Sequence, residues 1–94
     1  MPIIYGTDTA DTLTGTDADD EIYGGRGNDV IHAGGGNDWV NAGEGHDTVY
    51  GEAGDDALGG GEHNDRLWGG DGRDTLIGSE GSDRLYGEAG DDVI

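Results

Sequence analysis

The sequence predicts an all-β repeat protein without helices, and two features of its 94 residues support this. From Gly6 onward the chain divides into ten nine-residue units, each with Asp at position six and, at position eight, Leu, Ile or Val. Positions one, two and four hold 20 of the 22 glycines, which disfavour a helix and favour tight turns. A fixed period of this kind is the signature of a repeat architecture.

Each unit is predicted to form a six-residue turn followed by a short strand at positions seven to nine. Glycines at positions one, two and four are expected to supply positive φ angles and close backbone approach. Side chains alternate along a strand, so position eight points inward while positions seven and nine point outward. Successive units are expected to lie on opposite sheets. The predicted core is the position-eight column: Leu13, Ile22, Ile31, Val40, Val49, Leu58, Leu67, Leu76, Leu85 and Ile94.

The repeat resembles the calcium-binding nonapeptide of RTX (repeats-in-toxin) proteins, G-G-x-G-x-D-x-U-x with U aliphatic. GGRGNDVIH at 24–32 and GGDGRDTLI at 69–77 match it at every defined position, and the resemblance covers residues 6–94. It implies a right-handed parallel β-roll solenoid of about five 18-residue coils, with two units to a coil and two short parallel sheets. In this fold the turns hold Ca²⁺.

The charge and the donor atoms also favour calcium. A formal net charge of −18 and a column of aspartates one strand spacing apart would repel without a cation. Carboxylates and turn carbonyls are hard oxygen donors, which suit Ca²⁺ better than Mg²⁺ or zinc, and the chain has no Cys. We expect several ions between units n and n+2, up to eight in all. The predicted carboxylate ligands are Asp11, Asp20, Asp29, Asp38, Asp47, Asp56, Asp65, Asp74, Asp83 and Asp92. The predicted glycine turn positions at these sites are Gly25, Gly27, Gly34, Gly36, Gly43, Gly45, Gly54, Gly70, Gly72 and Gly81.

Departures from the motif suggest how the chain is organised. Residues 1–94 are interpreted as one domain, in which 1–23 form an atypical N-terminal cap and 24–94 the regular calcium-binding repeats. Because unit ten is one residue short, we expect a fragment of a larger protein. Aspartates in the middle of a stack are expected to bridge two ions each, whereas Asp11 and Asp92, at the ends, touch at most one. His63 replaces a position-four glycine and is expected to tolerate positive φ.

Several functional classes are disfavoured by the same composition. The acidic charge and the absence of Lys oppose nucleic-acid binding, and no catalytic motif is present, so no catalytic residue is predicted. His32, His46 and His63 occupy different positions of the repeat and are interpreted as solvated residues. No transmembrane segment and no cleavable signal peptide are predicted, so no membrane insertion is expected. The resemblance implies a bacterial protein that type I secretion exports to the calcium-rich exterior.

Two functions are compatible with these features. In the first, the chain is a non-enzymatic calcium-binding module that folds on binding Ca²⁺ and stabilises a larger secreted protein, which could itself be an enzyme or a toxin. In the second, it also recognises an acidic polysaccharide or a partner domain through Tyr50, Trp68 and Tyr86, beside Arg66 and Arg84. These aromatic residues share position nine of alternate units. They could form a flat exposed platform or a cross-strand ladder that only stabilises the sheet.

Overall fold

Ten three-residue strands alternate with tight turns in a computed structural model that describes residues 2–88, 90, 92 and 93. From Gly6 onward the strands fall at positions seven to nine of the repeat, as the sequence predicts, and one further strand precedes unit one. No helix occurs among the described residues. The strands are β1 (Ile3–Tyr5), β2 (Thr12–Thr14), β3 (Glu21–Tyr23), β4 (Val30–His32), β5 (Trp39–Asn41), β6 (Thr48–Tyr50), β7 (Ala57–Gly59), β8 (Arg66–Trp68), β9 (Thr75–Ile77) and β10 (Arg84–Tyr86).

Consecutive strands lie in two different five-stranded sheets. Sheet A has the order β1-β3-β5-β7-β9, and sheet B has the order β2-β4-β6-β8-β10. All named pairs are parallel and keep the repeat in register, so that Val49 lies opposite both Ile31 and Leu67. Register partners are therefore two units apart, and two units complete one coil. The predicted solenoid of about five coils with two short parallel sheets is confirmed.

The core lies between the sheets and consists mainly of position-eight side chains. Ile22, Ile31, Val40, Val49, Leu58, Leu67 and Leu76 are buried, with at most 1% of their surface exposed. Leu13 and Leu85, near the two ends, are partly buried, and Ile94 lies outside the described residues. Three further core residues do not belong to the predicted column: Ile4, which packs against the core from β1, and the fully buried Ala33 and Ala42 at position one.

Positive φ is restricted to two positions of the turn. The glycines at positions two and four of units three to ten have φ between 84° and 108°, and the four non-glycine residues there also have positive φ. His63, with φ 77°, confirms the expectation for that residue. The expectation of positive φ at position one was wrong. Glycine at position one instead allows close approach, since a Cβ at Gly60 would lie 2.6 Å from Oδ2 of Asp65, although units four and five accommodate Ala33 and Ala42 there.

The turns stack into two rows, one along each edge of the sandwich. Turns of odd-numbered units form the odd row, and turns of even-numbered units form the even row. Backbone hydrogen bonds join successive turns of a row at both ends: Thr48 N–H donates to the carbonyl of Asp29 (2.8 Å), and Gly51 N–H donates to that of Trp68 (2.7 Å). The space between two successive turns of one row is called a gap and is named by its two aspartates.

Candidate metal centre

The position-six aspartates form a hydrogen-bonded ladder in each row. The backbone N–H of each aspartate, except the last of each row, donates to Oδ1 of the aspartate one coil later, as Asp38 does to Asp56 at 2.8 Å. Eight such bonds of 2.8–2.9 Å join the same eight pairs that the sequence predicts as ion sites. Each of these carboxylates therefore leans into the gap that precedes its own turn. All ten predicted aspartates belong to the two ladders.

The second oxygen of most of these carboxylates is buried without a partner. Seven of the aspartates, from Asp20 to Asp74, are at most 3% exposed. Within the described part of the chain, six have an Oδ2 that is buried and accepts no hydrogen bond: Asp29, Asp38, Asp47, Asp56, Asp65 and Asp74. An unsatisfied buried polar atom costs about 1–3 kcal/mol, and more when it is charged. These oxygens therefore need a partner that the chain does not supply.

Backbone carbonyls line the same gaps. A Cβ added at Gly25 would lie 2.6 Å from the carbonyl oxygen of Thr7, and one added at Gly61 would lie 2.5 Å from that of Gly43. The carbonyls at positions two and four thus point toward the following turn, and the absent glycine side chains leave the gaps open. Carbonyls seen in this orientation belong to Thr7, Thr9, Thr16, Ala18, Gly25, Gly27, Gly36, Gly43, Glu52, Gly54, His63 and Gly72. Six of these residues are not glycine and were not predicted as turn residues of the sites. The glycines of the motif indicate backbone conformation, but they do not indicate the direction in which a carbonyl points.

Burial raises the pKa of these carboxyls well above the ordinary value. It raises the pKa of Asp56 to about 8 and that of Asp47 to about 7, partly offset by hydrogen bonds from backbone N–H groups. Neighbouring aspartates of the same row raise both values further. The pKa of Asp38, Asp65 and Asp74 is raised to about 6, and that of Asp29 is also raised. The ionised carboxylates are therefore most costly in the middle of the rows, where a bound cation would relieve the largest penalty.

The donor set fits calcium. Each gap offers carboxylate and carbonyl oxygens, and Ca²⁺ takes about six to eight such ligands in flexible geometry. Among the described residues no three His, Cys, Asp or Glu side chains form a cluster suited to a metal ion. A cation in a gap would draw on the backbone carbonyls as well as on the carboxylates, and this oxygen donor set suits Ca²⁺ better than zinc, which prefers thiolate and imidazole.

The two ends of the rows are not equivalent. The Asp92 side chain accepts the Asp74 N–H at 2.8 Å and faces the last even-row gap. The Asp11 side chain instead accepts from Thr7 in its own turn, and Asp20 does the same with Thr16. Asp11 and Asp20 therefore contribute a backbone N–H, and not a carboxylate, to the gaps that follow them.

Position five carries a second ladder that the sequence analysis missed. Oδ1 of Asn37 accepts the Asp55 N–H at 2.9 Å, and Oδ1 of Asn28 accepts the His46 N–H at 2.8 Å. Here the side chain reaches the following coil, opposite in direction to position six. The signal in the sequence is the frequency of Asn and Asp at position five. The two ladders hold successive turns together from both sides and so fix the width of each gap.

The position-nine aromatic residues form a ladder on sheet B. Tyr50 and Trp68 stack with ring centroids 5.0 Å apart, and Trp68 and Tyr86 stack at 5.2 Å, with interplanar angles of 13° and 15°. His32 extends the stack, and Tyr5 and Tyr23 form a smaller stacked pair on sheet A. The interior ring faces are covered by neighbouring rings. The rings therefore form a cross-strand ladder, and their interior faces are not available as a flat platform.

Comparison with known proteins identifies one family. The profile of the RTX calcium-binding nonapeptide repeat, which spans four copies, matches residues 5–40, 32–67 and 59–94. Comparison with curated proteins gives no match. The part of the chain that the structure describes contains no helix long and apolar enough to cross a membrane.

Proposed function

Because this chain belongs to the family of RTX calcium-binding nonapeptide repeats, we propose that it folds on binding Ca²⁺ and serves as a structural module. The family makes it a calcium-binding repeat module. The gating of the fold by calcium, and a role in stabilising a larger type I-secreted protein, are the proposed steps beyond that. We further propose that the chain itself carries no catalysis and that any enzymatic or toxic activity belongs to other parts of the secreted protein.

The observation that carries this proposal is the set of six buried carboxylate oxygens without a partner. In the ion-free fold each of these carboxylates adds a desolvation penalty and electrostatic repulsion with its neighbours in the row, on a chain with a net charge of −18. Three-residue strands and a narrow core offer little to offset this. A cation in each gap converts the same oxygens into ligands. Binding and folding are then coupled, as they are in other small metal-dependent domains.

Calcium-dependent folding is compatible with secretion, and repeats of this family are typical of secreted bacterial proteins. Sites of shared carboxylates and carbonyls are expected to have the affinity of extracellular modules, roughly 10⁻⁴–10⁻³ M. At cytosolic calcium concentrations the chain would stay unfolded, which is the state that export through a channel requires. Millimolar calcium outside the cell would then fold it. The localisation proposed here is therefore extracellular.

A calcium titration followed by far-UV circular dichroism tests the proposal. In chelator the spectrum should be that of a disordered chain, and millimolar calcium should convert it cooperatively to a β-rich spectrum. Magnesium at the same concentration is the matched control and should have no such effect, because it requires a tight octahedral site. A β-rich spectrum in chelator would contradict the proposal.

A second candidate function, recognition of an anionic ligand, is favoured by a groove on sheet B. Arg66 and Arg84 are direct register partners on adjacent strands. Both line a groove of about 440 Å³ that extends from Thr48 to the odd-row turns, where its lining is completed by His46, Asp47, Asn64, Asp65 and Ser82. Within the described part of the chain neither arginine has a carboxylate within ion-pair distance, whereas Arg26 pairs with Glu44. Like charges directly opposite each other are unfavourable in a sheet. An acidic polysaccharide or an acidic partner domain could bridge the two guanidinium groups.

Binding to a polyuronate at saturating calcium tests this second candidate. The double variant Arg66→Thr and Arg84→Thr should lose salt-sensitive binding while it keeps calcium-dependent folding. Arg73→Thr, in a turn of the even row, is the matched charge control and should bind as the wild type does. If the wild-type chain shows no binding, or if the control variant loses as much as the double variant, the groove has no such role.

A further inference from the structure

The turns of units one and two close around their own aspartates. Thr7 donates its N–H to Oδ2 of Asp11 at 2.6 Å, and its hydroxyl lies 2.9 Å from Oδ1 and 3.0 Å from Oδ2. Thr16 donates its N–H to Oδ2 of Asp20 at 2.7 Å and its hydroxyl to Oδ1 at 2.8 Å. In both turns the two carboxylate oxygens therefore have hydrogen-bond donors from within the turn.

The same hydroxyls also accept hydrogen bonds from position four. Thr7 Oγ1 accepts the N–H of Thr9 at 3.3 Å, and Thr16 Oγ1 accepts the N–H of Ala18 at 3.1 Å. Each threonine thus links position two, position four and the position-six carboxylate into one network. The first turn of each row is closed by its own side chains.

The following turns are built differently. In units three to eight position two is glycine, or Glu52, at positive φ, whereas Thr7 and Thr16 are not among the positive-φ residues. The aspartates of those six units are the ones whose Oδ2 is buried without a partner. Asp20 is just as buried, at 0% exposed, but both of its oxygens are satisfied. The change from threonine to glycine at position two therefore coincides with the appearance of an oxygen that needs a cation.

We infer that Thr7 and Thr16 take the place of the cation in the first turn of each row. Asp11 and Asp20 are then hydrogen-bonded residues of an end cap and not calcium ligands. Ion binding begins at the gaps that receive the carboxylates of Asp29 and Asp38, whose Oδ1 atoms accept the backbone N–H groups of Asp11 and Asp20 at 2.8 and 2.9 Å. This inference rests on the proposed role of the gaps as calcium sites.

The cap also supplies one wall of the first gap in each row. The carbonyls of Thr7 and Thr16 face the following turns, where a Cβ at Gly25 or Gly34 would lie 2.6 or 2.5 Å away. In the first coil the carboxylates of Asp11 and Asp20 are thus stabilised by hydrogen bonds without an ion, and backbone carbonyls still face the sites of the first ions. It is a template on which calcium-dependent coils can be added.

Counting bound ions by native mass spectrometry tests the assignment. The double variant Asp11→Asn and Asp20→Asn should carry as many calcium ions as the wild type. The matched pair Asp29→Asn and Asp38→Asn, one coil further along, should carry one or two fewer. Loss of ions from the first variant, or the same count in the second, would overturn the inference.

A second pair of variants tests the threonines themselves. Thr7→Val with Thr16→Val removes both hydroxyls at nearly constant shape and should raise the calcium midpoint of folding roughly two- to fourfold without changing the ion count. The control is Thr12→Val with Thr14→Val, on the outer face of β2. An unchanged midpoint in the first pair would overturn the inference. A wild-type chain that folds without calcium would overturn the proposed function alone, and the ion counts would still decide the role of the threonines.

Discussion

Replacing Asp56 by Asn should have opposite effects on stability without and with calcium. Asp56 lies in the middle of the even row and is 2% exposed, and its Oδ1 accepts the Asp38 N–H while its Oδ2 has no partner. Asn keeps a carbonyl oxygen that can accept that hydrogen bond. The substitution therefore removes the charge of a single buried group while it preserves the ladder.

The ion-free effect follows from the pKa of Asp56. Burial raises this pKa from 3.8 to about 8, so the folded state binds a proton that the unfolded state releases at neutral pH. The contribution of this carboxyl to the stability of the ion-free fold is present in full below pH 3.8 and is lost as the pH rises toward about 8. At neutral pH the loss is on the order of a few kcal/mol, and Asp56→Asn should recover part of it, because the amide NH2 of Asn would also be buried without a partner. The ion-free fold of the variant should therefore be the more stable one.

The effect in calcium has the opposite sign. Calcium can fold the chain only if each ion more than offsets the cost of the carboxylate that it binds, so losing an ion outweighs the recovered penalty. The net loss of stability should be about 3 kcal/mol if one ion is lost at a calcium concentration about 100 times its apparent dissociation constant. The variant should therefore be easier to unfold with urea at saturating calcium.

Two titrations measure these effects. In chelator, trimethylamine N-oxide favours compact states, and Asp56→Asn should reach half-folding at a lower concentration of this osmolyte than the wild type. At saturating calcium, the urea midpoint of the variant should be the lower one. Asp11→Asn is the control, and it should change either stability by no more than about 1 kcal/mol, because Thr7 holds that carboxylate at a partly exposed site. A shift of the same sign in both titrations would refute this account of the buried carboxylates.

Three further predictions follow from the same contacts. In chelator, order should increase as the pH falls from about 8 to about 4, because the buried aspartates take up protons only in the folded state; circular dichroism that does not change with pH would contradict this. Trp68→Thr loses two stacked tyrosine contacts and should cost about 1–3 kcal/mol in urea unfolding with calcium, whereas Trp39→Thr, with one tilted contact, should cost less; equal costs would argue against the ladder. Gly72 has φ 100° and faces a carbonyl of the preceding coil, so Gly72→Ala should raise the calcium midpoint of folding. Gly59→Ala is the control and should leave the midpoint almost unchanged, because its Cβ would meet only one atom, at 3.5 Å. Similar midpoints for the two variants would refute the steric role of the position-four glycine.

Much of the fold could be predicted because the nine-residue period fixes several properties at once. An aliphatic residue at position eight sets which side of each strand is buried, and a shift by one residue would expose the whole column. The period therefore determines strand position, register and the identity of the core. It also places the aspartates in rows, since residues 18 positions apart become neighbours, as Val49 and Leu67 do.

The details that escaped prediction depend on orientation within a turn. The motif places Asp at position six but does not indicate toward which neighbouring turn the carboxylate leans, so Asp11 and Asp92 looked equivalent. Residues 1–23 were predicted to form an atypical cap, but the role of threonine at position two became apparent only from the hydrogen bonds of Thr7 and Thr16. Similarly, the 18-residue spacing places aromatic rings on adjacent strands without fixing their tilt. Stacking of Trp68 on its neighbours covers the ring faces that a flat platform would expose.

Small-angle X-ray scattering with and without calcium tests the central claim most directly. The folded chain has a Cα radius of gyration of 11.5 Å, whereas an unfolded chain of this length is expected near 30 Å, by a scaling of roughly 2.0 N^0.6 Å. In chelator at neutral pH the measured radius should approach the unfolded value, and in millimolar calcium it should fall close to the folded one. A radius near the folded value in both conditions would contradict calcium-gated folding.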